Sequence, residues 1–564
     1  MRYITAFFIA ISVSLFLTPL CIYFGKKFKL YDNPETTDRK IHKKIIPHTG
    51  GFAIFIAFLV TYFTVTPAIN WWLVSCASVI FTVGFIDDFI NIRAILRLVI
   101  QVLVSCALVY GLKLDLQQII ITPSLSVNLP FIFGFGLSVF ILIGAINSIN
   151  MIDGMDGLAG GVVVFGLATL SVLHYLINQD MSLLYILTIP LIGSILGFLK
   201  FNTNPASIFM GDGGSNLIGF LTGFTILGVL NRYSADFHVL TKVTSIPLIS
   251  AILCIGVPVV DTAIVVLKRL RAKVHPMSAD RRHFHHFLLN LGLTQHQCVT
   301  SIYFLGLISA LVGIIPNIYP RFNLWWIPYV YMLILCGFFF IANFKSDFLV
   351  RFLSDTKFME NKETRYSAFL KKWRRINRYV VYGVLLFSPL LSGIVSKEIS
   401  YVAFFSAIWI GISLFFKPNQ YDVFTKIIAT LAIFSFIFLV NQNSMRIALF
   451  GEIVELQKYY NYIFIFLFVS TLFYFVVSIS TKSIIISMYD FVLLGIPFLT
   501  LLVNEPYYSK YALGTVSLRC FVVFFVMRTF FGKKVEGYYR LRLIIFIGLI
   551  YISLTSGLDF RIVY

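Results

Sequence analysis

Charge is scarce in this 564-residue chain. Only 12% of its residues are Asp, Glu, Lys or Arg, about half of the roughly 25% carried by soluble globular domains. Acidic residues are the scarcer sign, 25 against 45 basic ones, leaving a formal net charge of +20. So little charge over such a length excludes an ordinary water-soluble enzyme. Cysteine is also sparse: the seven are scattered and none form a Cys-x-x-Cys pair, so no paired-thiol metal or redox motif is present. Most of them fall in apolar runs, where a free thiol is a small hydrophobe. Strict alternation of apolar and polar residues is missing as well, which excludes a transmembrane β-barrel. There is no evident internal repeat and no low-complexity tract.

Long apolar runs fill the space that charge leaves. Hydrophobic residues make up 59% of the chain, and many runs reach the length of about 20 residues that a helix needs to cross the hydrocarbon core. Lipid offers the backbone no hydrogen bonds, so the expected fold is an all-α, polytopic integral membrane protein. Eleven spans are expected near 3–25, 49–67, 71–87, 96–112, 130–149, 159–178, 183–200, 214–231, 244–268, 298–316 and 325–344. The first is read as an uncleaved span, because no small-residue cleavage site follows it. A polar, basic stretch at 346–377 reads as a linker, and about seven more spans are expected within 378–564. Three parts follow: a membrane domain over 1–345, the linker, and a C-terminal multi-span region of unknown role.

The basic residues are unevenly placed. With loops alternating sides, Lys26, Lys27, Lys29, Arg39, Lys40, Lys43, Lys44, Arg93, Lys268, Arg269, Arg271, Lys273, Arg281 and Arg282 share one side. The other side holds Lys113, Arg232, Lys242 and Arg321. Positive charge stays cytoplasmic, so the richer side is the inner one. This topological account explains the positive balance without nucleic acid, although some of these cations also suit anionic phosphate substrates.

Four polar clusters stand at span ends, all on that inner side. Carboxylates near lipid are costly unless wet, paired or metal-bound, and their default reading is functional. Asp87 and Asp88 end one apolar run. As neighbours on a helix they point about 100° apart, so one suits a nucleophile and the other an orienting or cation-binding role; the competing reading is a solvated helix end. Asn147, Asn150 and Asp153 recur at every third residue and form one polar face, suited to a nucleotide or sugar, with Gly154 and Gly157 turning the chain around Asp156. A plain Asx turn is the alternative for Asp156. Asp212 sits between glycines ahead of Ser215, where a helix N-terminus would offer N–H groups to an anion. Magnesium takes one or two carboxylates plus phosphate oxygens and water, so Asp212 is a natural Mg²⁺ ligand, or else a simple N-cap. His283, His285 and His286 follow Arg281 and Arg282. Zinc is the weaker reading beside those cations, phosphate binding the stronger, and loop solvation the plain one.

In order and spacing these stretches resemble the polyprenyl-phosphate N-acetylhexosamine-1-phosphate transferases. The resemblance rests on Arg39-Lys40-Ile41-His42, Asp87-Asp88 with Arg97 and Gln101, the run from Asn147 to Leu158, Phe209-Met210-Gly211-Asp212, and Asp280 to His286. It covers roughly residues 3–345; nothing in the family accounts for 378–564. Ser207 and Gly213 depart from the family pattern, standing where a basic residue and a Ser, Ala, Thr or Val are usual. The histidine spacing is similar to the branch that starts O-antigen, common-antigen and teichoic-acid chains, hence lipopolysaccharide and cell-wall biogenesis. The resemblance implies transfer of a sugar phosphate from a UDP-N-acetylhexosamine to undecaprenyl (polyprenyl) phosphate, with Mg²⁺ as cofactor and Mn²⁺ as an alternative. It implies Asp87, Asp88 and Asp212 as catalytic residues, with Asp212 holding the metal. Lys44, Asn150, Asp153, Asp156, Asn202, Phe209, His283, His285 and His286 are the implied substrate contacts, with Asp153, Asn202 and Phe209 toward the uridine. The implied location is the bacterial inner membrane with the site on the cytoplasmic face; a homodimer is left open. A transporter or flippase of lipid-linked sugars is the competing class.

Overall fold

The computed structural model describes residues 2–344 apart from 32–45, 67–68, 91, 123, 179–182, 232–245, 274–282 and 319–322, and beyond them only short stretches within 372–386, 403–411, 446–455 and 543–550. The chain divides into two compact units, one of residues 1–355 with 486–491, the other of 356–485 with 492–564.

The first unit is helical, as the apolar runs require. Its helices are α1 (Arg2–Lys27), α2 (Gly50–Val65), α3 (Trp71–Ile90), α4 (Ala94–Leu112), α5 (Phe131–Ile152), α6 (Leu158–Asn178), α7 (Leu183–Asn202) and α8 (Gly211–Asn231). They continue with α9 (Leu248–Leu253), α10 (Gly256–Arg271), α11 (Phe284–Asn290), α12 (Gln295–Ile318) and α13 (Ile327–Phe344). Among the described residues, seven stretches are long and apolar enough to cross a membrane: they lie in α1, α3, α4, α5, α8 and α12, and from Leu324 into α13. Three shorter apolar stretches, Gly50–Val65, Leu158–His174 and Ile186–Asn202, lie in α2, α6 and α7. The chain is therefore a multi-pass membrane protein.

Two features depart from the expected spans. The run at 244–268 is not one helix: α9 ends at Leu253 and α10 starts at Gly256. Pro258 lies in the first turn of α10. It has no N–H to bond back to the preceding turn, a defect that costs nothing where the first N–H groups are unpaired anyway. Between α4 and α5 stands a hairpin, β1 (Gln118–Thr122) against β2 (Leu125–Asn128), antiparallel with Gln118 opposite Asn128 and Thr122 opposite Leu125. The Tyr329 hydroxyl, from α13, donates to the Ile121 carbonyl at 2.6 Å and ties this hairpin to the bundle.

Helix α8 runs through the centre of the unit, with every side chain from Gly213 to Val229 buried. Lipid tails are as apolar as leucine, so helices here associate by close packing of small residues rather than by escape from water. Gly219 and Gly223 lie against Ile146, Ala145 and Leu142 of α5. Gly51 of α2 faces Gly214, and Gly84 of α3 faces the backbone of Asp212 and Gly213. Gly193 and Gly197 of α7 meet α1 in the same way, and Ser14 donates to the Ser194 carbonyl at 2.7 Å. The outer faces carry exposed apolar side chains, among them Leu103 and Tyr110 on α4, Ile132 and Phe140 on α5, and Leu333 on α13, as lipid-facing surfaces must.

In the second unit the described residues include a helical stretch at 543–550 and the hairpin β3 (Arg446–Leu449) with β4 (Glu452–Glu455). Most of the seven further expected spans lie outside the described residues.

Candidate active site

The packing of α2, α3 and α8 fixes where the carboxylates stand. Gly211, with φ +74°, ends the approach to α8. A side chain there would be strained and would collide with Asp88, whose Oδ2 lies 2.5 Å from where a Cβ would sit. The Asp88 carboxylate accepts the Asp212 N–H at 2.7 Å and the Gly213 N–H at 3.3 Å. It thus caps α8 from a neighbouring helix, where a negative charge is favoured by the unpaired N–H groups and the helix dipole. The close approach also explains Gly213: a Cβ there would lie 2.9 Å from the Phe85 nitrogen and 3.0 Å from its Cα.

Asp87, one residue earlier, faces elsewhere, as the helical rotation requires. Its Oδ1 accepts the Ile92 N–H at 2.6 Å and its Oδ2 pairs with Nη1 of Arg97, at the start of α4. The same Nη1 meets Asp212 Oδ2 at 2.7 Å. Two carboxylates from two helices therefore converge on a single cationic nitrogen. Asn150 completes the group: its Nδ2 donates to Asp212 Oδ1 at 3.0 Å and to Ser215 Oγ at 2.9 Å. Asn147, one turn earlier on the same face, donates to Gln101 Oε1 at 2.8 Å. The polar stripe on α5 is thus matched by one on α4.

The turn after α5 carries the remaining acids. Asp153 caps the helix with φ −74° and ψ 52°. Burial, reinforced by the charges of Asp212 and Asp156, pushes its carboxyl up to about 7. Asp156 turns the other way: its Oδ2 accepts Asn204 Nδ2 at 2.8 Å and the Ala206 N–H at 3.0 Å, holding the loop that leads to Phe209. Asn202 spends both ends of its amide on the same turn, accepting the Gly157 N–H at 2.9 Å and donating to the Ile208 carbonyl at 2.9 Å. Phe209 is half-exposed and packs edge-on to His48, ring centroids 5.3 Å apart.

His285 and His286 stand in the short helix α11, His283 is its N-cap, and His285 lies over the Asp153–Gly154 turn. His285 Nε2 would be 2.8 Å from a Cβ on Gly154, so only glycine allows this approach. The His283 and His285 rings are parallel at 5.6 Å, and His286 lies 4.3 Å from His285. Burial, then the neighbouring His286 and His283, hold His285 well below the usual histidine range. It is therefore a neutral hydrogen-bonding ring at physiological pH and not a cation. Lys44, Arg39 and Asp280 to Arg282 lie outside the described residues.

A family profile described as glycosyl transferase family 4 matches residues 70–229, from α3 to the end of α8. A probable undecaprenyl-phosphate N-acetylglucosaminyl 1-phosphate transferase of Bacillus subtilis is 33% identical over 320 residues, covering 56% of this chain and 85% of the relative. An undecaprenyl-phosphate alpha-N-acetylglucosaminyl 1-phosphate transferase of Escherichia coli K12 is 31% identical over 338 residues, 57% of this chain and 87% of the relative. One of the same name from Salmonella typhi is 32% identical over 349 residues, covering 59% and 90%. The chain belongs to this transferase family.

In the transferase, the sequence motifs bring together Asp87, Asp88, Asn150, Asp153, Asp212 and the three histidines. Two residues matter more than their sequence context suggested. Arg97 stood only as a motif match, yet it joins Asp87 to Asp212; a guanidinium within a turn of the start of an apolar helix, ten residues after an acidic pair, was the available signal. Asp261, inside α10, drew no attention. Among the described residues no three His, Cys, Asp or Glu side chains gather as a ready-made metal cage. The donors nevertheless fit magnesium. Asp87 Oδ2 and Asp212 Oδ2 are hard oxygens already converging on one cation, and magnesium completes its shell with phosphate oxygens and water.

Proposed function

We propose that the transferase moves N-acetylhexosamine-1-phosphate from a UDP-sugar to undecaprenyl or another polyprenyl phosphate, releasing UMP, at the cytoplasmic face of a bacterial inner membrane. The observation that carries this reading is the convergence of Asp87 and Asp212 on one cationic point beside Asn150. That point lies at the ends of apolar helices, where a water-borne donor can meet a lipid acceptor. The relatives are named as transferases of N-acetylglucosaminyl 1-phosphate that use undecaprenyl phosphate, and the distribution of Lys and Arg favours the inner side.

Two anions must meet, so catalysis is chiefly neutralisation and in-line positioning. A phosphate oxygen of the acceptor attacks the β-phosphorus of the donor. The bond between that phosphorus and the bridging oxygen breaks, and UMP leaves with the electron pair. Asp87 and Asp212 would hold Mg²⁺, with Mn²⁺ a substitute; when bound, it supplies charge neutralisation at the diphosphate. Asn150 keeps the Asp212 carboxylate oriented. Arg97, whose Nη1 meets Oδ2 of both Asp87 and Asp212, would give these oxygens up to the metal and supply a second, permanent positive charge for the acceptor phosphate. Asp88 acts at one remove, through the α8 terminus that it caps. The acceptor phosphate is largely ionised at neutral pH, with a second pKa of about 6, so no strong base is needed. The histidines of α11, one of them neutral, bind donor phosphate oxygens as N–H donors.

Purified protein given polyprenyl phosphate, Mg²⁺ and a panel of UDP-hexosamines should release UMP with one of them and form a lipid-linked sugar diphosphate. UMP release that does not depend on the lipid, or none with any donor, would refute the reading. A flippase is disfavoured because the polar clusters sit at helix ends on one face and not at the mid-plane, where transporters bind.

A further inference from the structure

Asp261 is a buried carboxylate that the proposed chemistry leaves unused. It lies on α10, whose last turn is basic, with Lys268, Arg269 and Arg271. Only 2% of Asp261 and 6% of His283 is exposed, so their contact is shielded from water. Asp261 Oδ2 meets His283 Nδ1 at 2.9 Å, and Oδ1 accepts the Phe284 N–H at 2.9 Å. The carboxylate thus does two things at once. It caps the first turn of α11 and it fixes which nitrogen of His283 carries a proton, because an ionised carboxylate only accepts. Nδ1 must be N–H, and Nε2 is the atom left for other partners. The ring that this bond orients is the one on which His285 stacks, and His285 in turn rests on the Gly154 turn beside Asp153.

We infer that Asp261 is a positioning residue for the transfer reaction: it holds His283 through Nδ1–H and is the counter-charge that lets Nε2 carry a second proton, so that the ring donates an N–H to the donor's phosphate oxygens. The inference rests on the transferase reading of the site. When His283 takes a proton on Nε2 to meet an anionic phosphate, the imidazolium keeps Asp261 as its counter-charge. An outer partner of this kind sets the tautomer and orientation of a functional histidine, and where the histidine binds a metal the loss of such a partner costs about 10- to 100-fold in metal affinity or activity.

Asp261→Asn separates this role from a merely structural one. A carboxamide has one oxygen for two donors. The Phe284 backbone N–H cannot change, but the imidazole can, so the Asn variant keeps the cap and forces His283 to accept at Nδ1. In the full-length protein, ring-¹⁵N histidine spectra should show His283 protonated at Nδ1 in the wild type and at Nε2 in Asp261→Asn, whatever substrate the enzyme uses. With the UDP-sugar that the wild type turns over, kcat should fall about 10- to 100-fold, with a smaller change in KM and a nearly unchanged unfolding midpoint. Added to His283→Ala, the same substitution should cost less than about twofold, since coupled residues are not additive. An unchanged tautomer, a wild-type kcat, or a full additive loss on top of His283→Ala would each overturn the inference. Failure of the wild type to release UMP from any donor would instead strike the transferase reading, with the tautomer measurement still standing.

Discussion

At the scale of single residues, the site is a balance between two carboxylates and one guanidinium. Arg97 neutralises Asp87 and Asp212 together, and Asn150 orients the second. Replacing either acid by its amide removes a charge that the proposed reaction uses and leaves shape intact. Asp212→Asn and Asp87→Asn should therefore insert and fold, yet lose UMP release on the order of 100-fold or more, the scale seen when one preorganised electrostatic group is removed from an active site. Near-normal turnover in both would remove them from the mechanism. Asp153 offers a test that needs no substrate. Its carboxyl is pushed up to about 7 by burial and by Asp212 and Asp156, above the unfolded value of about 3.9. The folded state therefore holds an extra proton between those two values, and its stability falls as pH rises through that window. In metal-free protein the unfolding midpoint should decline between about pH 4 and pH 7 from this source, and Asp153→Asn should flatten the decline. The same slope in both proteins would mean that the group titrates normally.

At the scale of elements, glycine decides how close α2, α3 and α8 come, and so where the acids point. A Cβ on Gly51 would stand 2.4 Å from the Gly214 nitrogen and 2.5 Å from its Cα. These are backbone atoms that cannot rotate away. Gly51→Ala should lower stability by about 1–3 kcal/mol, the usual scale of overpacking, and lower activity with it. Gly136→Ala on α5, where nothing lies within 4 Å, should be neutral or mildly stabilising because alanine is the better helix former. Thermal unfolding of the two variants in detergent checks the contrast, and equal midpoints would contradict the packing account. Much of this scale was legible in the sequence. The apolar runs located the helices because backbone in lipid has few alternatives, and the Asp, Asn and His motifs located the site because such groups are expensive there. The break between α9 and α10 was missed: hydropathy runs unbroken through 244–268, and only Pro258 marked the defect. The β1–β2 hairpin was missed because its residues are too few to outweigh their neighbours in a hydropathy window. The engagement of Asp88 with the α8 terminus, of Asp156 with the 204–206 loop and of Asp261 with His283 joins residues up to 124 positions apart. No local pattern reports such a pairing.

At the scale of the whole molecule, the described site residues are confined to one part of the chain. Every described site residue, from Asp87 to His286, lies in the compact unit of residues 1–355. The relatives from Bacillus subtilis and Escherichia coli match only 56% and 57% of the chain while covering 85% and 87% of their own lengths. The matched stretch makes up most of each of those proteins. A chain ended after residue 355 should therefore insert and release UMP within about threefold of the full-length rate, a difference of less than 1 kcal/mol in the barrier. Measuring kcat and the unfolding midpoint of both chains in the same lipid separates the possible failures. Loss of turnover with an unchanged midpoint would mean that the second unit takes part in substrate handling. Loss of both would mean that the transferase unit needs the other for its fold, and the division of labour drawn from the site's confinement would then be wrong.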